Sequence, residues 1–107
     1  MPEKHHIVFR SQGGLDFELN YKYLTLEQHQ GNDGPHLCKK ANLKYKKELQ
    51  ERLEILLDKD FYDEYDLIEI LGLKGQQAKK AFGKIQKYQE GMKREDIIRR
   101  LMGGRMY

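Results

Sequence analysis

Apolar residues in this chain form two short runs near the start and then recur at helical spacing. The first run, Ile7-Val8-Phe9, follows a histidine pair and stops at Gly13-Gly14, so residues 6–9 read as a β-branched, aromatic strand ending in a turn. Residues 21–26 alternate as a second short strand does. The alternation is lost at Glu27-Gln28-His29, and a loop carrying Gly31, Gly34 and Pro35 leads into a helical stretch from near Leu37. Leu43, Leu49, Leu53, Leu56 and Leu57, with Tyr45, then recur at spacings of three and four, which makes one apolar stripe over 37–57. Lys46, Lys47 and the run from Glu48 to Glu54 fall on its outer face. Asp58-Lys59-Asp60 breaks the pattern and marks a turn.

Beyond that turn, residues 66–82 resemble a helix-turn-helix. A short apolar helix ends at Gly72, and a second helix projects polar side chains, as such a motif does into the major groove. Ile68, Leu71, Leu73, Ala78, Phe82 and Ile85 are the expected core, and Gln76, Gln77, Lys79, Lys80 and Lys84 the expected DNA-facing set. A third helix over 94–102 adds Ile97, Ile98 and Leu101, with Arg99 and Arg100 outside. The last five residues, Gly103-Gly104-Arg105-Met106-Tyr107, are expected to fray. Two units follow from this, 1–57 and 58–107.

Composition narrows the classes. With 107 residues, 38% hydrophobic and 35% charged, the chain has core enough for one compact domain or two very small units, and most elements keep a solvated face. No stretch approaches the ~20 apolar residues of a membrane span, and no basic-then-apolar leader opens the sequence. The lone Cys38 makes no intramolecular disulfide, which suits a reducing cytoplasm. The net charge of +3 is unevenly spread: +3 over residues 1–47, −5 over 48–65 and +5 over 66–107. Basic ends around an acidic middle are the footprint expected of phosphate-backbone binding.

The candidate chemistry lies in the histidines. His5 and His6 are adjacent, Asn20 follows fourteen residues after His6, and His29 nine residues after Asn20, with His36 beyond. Imidazole is both the commonest metal ligand and the side chain that titrates nearest neutrality. Neighbours on a strand point to opposite sides, so one histidine can face a metal while the other faces the water that attacks a phosphate. An asparagine amide both donates and accepts, which suits it to fixing the loop between strands.

His5, His6, Gly13-Gly14, Asn20, His29 and His36 together resemble the HNH, or ββα-metal, endonucleases found in phages, homing enzymes and bacterial toxins, over the first third to half of the chain. The resemblance implies an α+β fold, with an N-terminal ββα-metal nuclease motif followed by a mainly α-helical C-terminal part. It gives His5 as first metal ligand, His6 as general base, Asn20 as the residue that holds the loop and helps orient the base, and His29 as a second ligand. Toxin-type members carry a further histidine one helical turn later, where this chain has Asp33; His36 is preferred as the third ligand because the intervening loop brings it back. Many relatives brace the fold with a zinc held by two Cys-x-x-Cys pairs, which a single cysteine does not supply.

The expected function is therefore metal-dependent hydrolysis of DNA phosphodiesters. His6 would activate water, one divalent ion (Mg2+, Mn2+, Zn2+ or Ni2+) would stabilise the phosphate, and Arg10 would contact a flanking phosphate. DNA is the expected partner, no membrane is, and the cytoplasm of a bacterial host is the expected setting for a phage-type enzyme. The rival expectation is a non-enzymatic DNA-binding regulator in which the same histidines hold a structural metal.

Overall fold

The first apolar run does not continue the first strand. In the computed structural model, which describes residues 3–25 and 39–107, strand β1 covers Glu3–His6 and pairs antiparallel with β2, Tyr21–Leu24. His5 stands opposite Lys22, and His6 opposite Tyr21. The ladder ends there because Asn20 takes the next backbone groups. Its carbonyl accepts from the Ile7 N–H, and its side chain takes both the N–H and the C=O of Val8. Ile7 and Val8 thus leave the sheet and enter the core, 3% and 1% exposed.

Two 3-10 turns, Arg10–Gln12 and Glu18–Asn20, carry the chain from β1 to β2. The glycine pair between them is required by space as well as by conformation. Gly13 sits at φ 87°, in the left-handed region, and a Cβ on Gly14 would lie 1.8 Å from the Val8 carbonyl oxygen.

Helix α1 covers Lys39–Leu56; the expected start near Leu37 lies outside the described residues. Its buried stripe is narrower than the leucine pattern suggested: Leu49 and Leu53 are buried, as is Leu57 just beyond, whereas Leu43 and Leu56 are each 40% exposed. Lys46, expected on the outer face, is instead 5% exposed, because it lies one turn before Leu49 on the core side. Its ammonium stands over the rings of Phe9 at 5.7 Å and Tyr107 at 5.5 Å, a cation–π setting that compensates part of its burial.

Three shorter helices follow. Helix α2, Glu64–Leu71, starts at a capping box in which the Asp63 side chain accepts from the Asp66 N–H. It ends at Gly72, the expected turn, where a φ of 70° and an N–H bond to the Ile68 carbonyl form a left-handed cap. Helix α3, Gly75–Phe82, and helix α4, Arg94–Leu101, complete the set of four helices among the described residues. Between α3 and α4 a hairpin of β4, Lys87–Tyr88, and β5, Gly91–Lys93, joins β3, Phe61–Tyr62, in an antiparallel sheet ordered β3-β5-β4. Sequence patterning missed this sheet, since its strands are two or three residues long and give no periodicity to read.

The protein is a small α+β domain with two small antiparallel sheets among the described residues. One apolar cluster runs through both halves, from Ile7, Val8, Leu15 and Phe17 through Leu49 and Leu53 to Phe82, Ile97 and Met102. Arg94 ties them further by donating to the carbonyls of Glu54 and Leu57, capping α1. The C-terminal residues pack rather than fray. Gln50 on α1 accepts from the Tyr107 N–H at 2.6 Å and donates to its carbonyl at 2.9 Å, so one amide satisfies both backbone groups. No helix among the described residues is long and apolar enough to cross a membrane.

Candidate functional site

The turn between β1 and β2 is organised around Asn20. This amide is fully buried, and its Oδ1 accepts from the Val8 N–H at 2.8 Å while Nδ2 donates to the carbonyls of Val8 at 3.2 Å and Leu15 at 2.8 Å. Both ends of the loop are thereby fastened to one side chain. The position of β1 against β2, and with it the histidine pair, follows from those bonds.

His5 and His6 occupy different surroundings, as strand alternation requires. His5 turns inward, 3% exposed, with its ring edge-on to Phe9 at 5.4 Å between centroids. His6 turns towards the loop. Its ring meets Tyr21 edge-on at 5.0 Å, and its Nε2 lies 2.7 Å from Oδ1 of Asp16, with the histidine side chain 18% exposed.

Asp16 is the junction of the site. Besides His6 it receives Arg10, whose Nη2 donates to Oδ1 at 3.2 Å and Oδ2 at 3.3 Å. It also meets Gln77 from the first turn of α3. In one amide orientation Gln77 donates from Nε2 to Oδ2 at 3.4 Å; in the other it pairs with the Asp16 carbonyl at 3.2 Å and N–H at 3.1 Å. The hydrogen bond from His6 holds the Asp16 carboxyl below its ordinary value, partial burial opposes it, and Arg10 adds to the lowering. Burial, with the Asp16 charge behind it, raises the neighbouring Tyr21 phenol. A neutral Tyr21 packed on His6 therefore persists well above neutral pH.

Of the expected site residues, the structure brings His6 and Arg10 together on Asp16 and sets Asn20 behind them. His5 lies on the other side of β1. His29 and His36, the other expected ligands, fall outside the described residues, as do Asp33 and Cys38. Among the described residues no group of three or more His, Cys, Asp or Glu side chains is arranged to hold a metal ion. Gln76, Lys79, Lys80 and Lys84 are exposed around the end of α3, whereas Gln77 is half-buried against Asp16.

Sequence reasoning passed over three residues that matter here. Asp16 stands between the glycine pair and Asn20, where a carboxylate within reach of a strand histidine was the available signal. Arg100 was expected outside but donates to the carbonyls of Ala81 and Gly13. Lys46, at a helical position shared with Leu49 and Leu53, carried its signal in its register rather than its charge. Comparison with protein-family models, with curated proteins and with solved structures returned no match, so the site rests on its own geometry.

Proposed function

We propose that this chain is a metal-dependent DNA endonuclease or nicking enzyme of the HNH type, with His6 as its general base. The observation that carries this reading is the buried Asn20 amide, which fastens the loop between the strands by three hydrogen bonds beside a histidine pair divided between two environments. A loop needing only to close two strands does not call for a histidine held on a carboxylate at its rim.

The ββα-metal assignment of residues 1–57 belongs to this proposal. His5 fits the first ligand in chemistry, being a buried imidazole fixed against an aromatic ring, and His29 and His36 would complete the set. When bound, a divalent ion offsets the negative charge that develops on the phosphate oxygens. The remaining work falls to the chain's own side chains. His6 takes a proton from water as the water oxygen bonds to phosphorus, the bond from phosphorus to the leaving oxygen breaks, and that oxygen is protonated from solvent. Asn20 keeps β1 and the loop in register while this happens. Arg10, whose side chain is 72% exposed, stands at the surface beside Asp16, where it can meet a flanking phosphate. Lys79, Lys80 and Lys84 with Gln76 hold the duplex from α3 and the turn after it.

Nicking of supercoiled plasmid with Mg2+, Mn2+, Ni2+ or Zn2+, compared with His6→Ala, tests the proposal. The wild type should nick with at least one ion, and the variant should lose about 10²- to 10⁴-fold in rate. DNA binding without cleavage under any ion would instead favour the regulator in which the histidines hold a structural metal.

A further inference from the structure

The proposed chemistry gives the contact between His6 and Asp16 no role in the reaction. It is short, 2.7 Å, and joins a side chain on β1 to one in the loop ten residues on. Asp16 is held from two further directions, by Arg10 and by Gln77, and His6 is braced by the Tyr21 ring. His6 and Arg10 meet the Asp16 carboxylate itself, and Gln77 holds the residue through that carboxylate in one amide orientation and through its backbone N–H and carbonyl in the other, so Asp16 is a fixed acceptor rather than a passing surface partner.

We infer that Asp16 is the positioning residue of His6. The inference rests on the nuclease reading and deepens it. With Nε2–H donated to Oδ1 of Asp16, the imidazole is held in one tautomer and its lone pair lies on Nδ1. That nitrogen is then the one that accepts the proton of the attacking water. The carboxylate also stabilises the imidazolium formed by that transfer, while remaining ionised itself. Tyr21 restrains the ring from the side, so the carboxylate and the aromatic edge together define its rotamer.

Gln77 gives this arrangement a second consequence. It lies on α3, whose outer face carries Lys79 and Lys80, and it touches the residue that holds the base. The helix assigned to DNA and the base assigned to cleavage are two contacts apart. Truncating Gln77 should therefore affect cleavage more than it affects DNA affinity.

Three variants test the inference, Asp16→Asn, Asp16→Glu and Gln77→Ala, each with its urea midpoint measured to establish that it is folded. Asp16→Asn should lower kcat by about 10- to 100-fold with KM changed less than about twofold, and Asp16→Glu, which keeps the carboxylate, should recover part of the loss. Nitrogen-15 spectra of the imidazoles, with His6 assigned by its absence in His6→Ala, give a readout independent of cleavage. The wild type should show His6 as the Nε2–H tautomer, and Asp16→Asn should show a mixture. A folded Asp16→Asn protein with unchanged kcat, or with the wild-type tautomer intact, overturns the inference. Failure of the wild type to nick with any ion overturns the nuclease reading instead, and the imidazole spectra then still decide whether Asp16 fixes the ring.

Discussion

Arg100 donates from Nη1 to the carbonyl oxygen of Gly13 at 2.8 Å, joining the last helix to the turn between the first two strands across 87 residues of chain. Its Nε donates to the Ala81 carbonyl at 3.0 Å, so one guanidinium links α4, the end of α3 and the turn. Arg100→Ala should cost about 2–4 kcal/mol, since charged donors contribute more than neutral ones and two half-buried carbonyls lose their partner. Arg100→Lys should restore only part, because an ammonium lacks the planar fork that reaches two acceptors. Arg99 is the internal control: its partner Glu95 is an exposed neighbour one turn away, and Arg99→Ala should change stability by no more than about 0.5 kcal/mol. Urea unfolding of the three variants decides the matter, and equal midpoints for the two alanine variants would contradict it.

Asn20 should be the least replaceable polar residue in the N-terminal half. Alanine there leaves the Val8 N–H and the carbonyls of Val8 and Leu15 without their side-chain partner in a fully buried setting. The expected loss is about 3 kcal/mol or more. Asn20→Asp is the sharper variant. It keeps the acceptor for Val8 but turns the donating nitrogen into an oxygen that faces two carbonyls, so it should be at least as damaging as alanine. A urea midpoint for Asn20→Asp close to wild type would show that the loop is held by something other than this amide.

What was legible in the sequence followed from how local each signal is. Gly72 between two apolar helical patterns gave the α2–α3 turn, and the period of Ile97, Ile98 and Leu101 gave α4 to within one residue. The apolar run before Gly13-Gly14 and the alternation over 21–26 gave two strands joined by a turn, and the buried Asn20 amide holds that loop as the family resemblance implied. The first strand was misplaced because Ile7 and Val8 have strand propensity, yet their backbone groups are claimed by Asn20, a contact between residues distant in sequence. Arg100 and Gln77 were read as solvent-facing for the same kind of reason. A polar side chain on a helix looks exposed until the element packed against it is known. The β3-β5-β4 sheet shows the limit most plainly, since Phe61–Tyr62 and Gly91–Lys93 become strands only through each other.

Acid should release the Asp16 contacts. Its hydrogen bond from His6, aided by Arg10, lowers the carboxyl below the ordinary value near 3.8. The folded protein therefore binds fewer protons at this site than the unfolded chain does. The stabilisation is complete above the unfolded-state value and is lost as pH falls through the lower folded-state value. Asp16 is 40% exposed, so the contribution is small but has a defined sign. Asp16→Asn should flatten the pH dependence of unfolding free energy as pH falls below the ordinary carboxyl value near 3.8, with little effect on its slope well above that value. Parallel wild-type and variant curves through the lower range would show that Asp16 titrates alike in both states.

The exposed lysines of α3 should act through charge and not through sequence readout. Lys79 and Lys80 are exposed in its last turn, and if they meet phosphates each contact releases condensed counterions when duplex binds. Replacing both with glutamine should weaken binding by a similar factor on unrelated duplexes and reduce the slope of log affinity against log salt by about 2. Gln76 offers a contrast, being an exposed amide in the first turn of the same helix. If α3 enters the major groove, Gln76→Ala should leave the salt slope unchanged and reduce discrimination among sequences, because an amide reads base edges while carrying no charge. Fluorescence anisotropy over a salt series with two unrelated duplexes measures both quantities. A double-lysine variant with the wild-type slope would remove α3 from the proposed DNA interface and leave Arg10 as the remaining candidate for a phosphate contact.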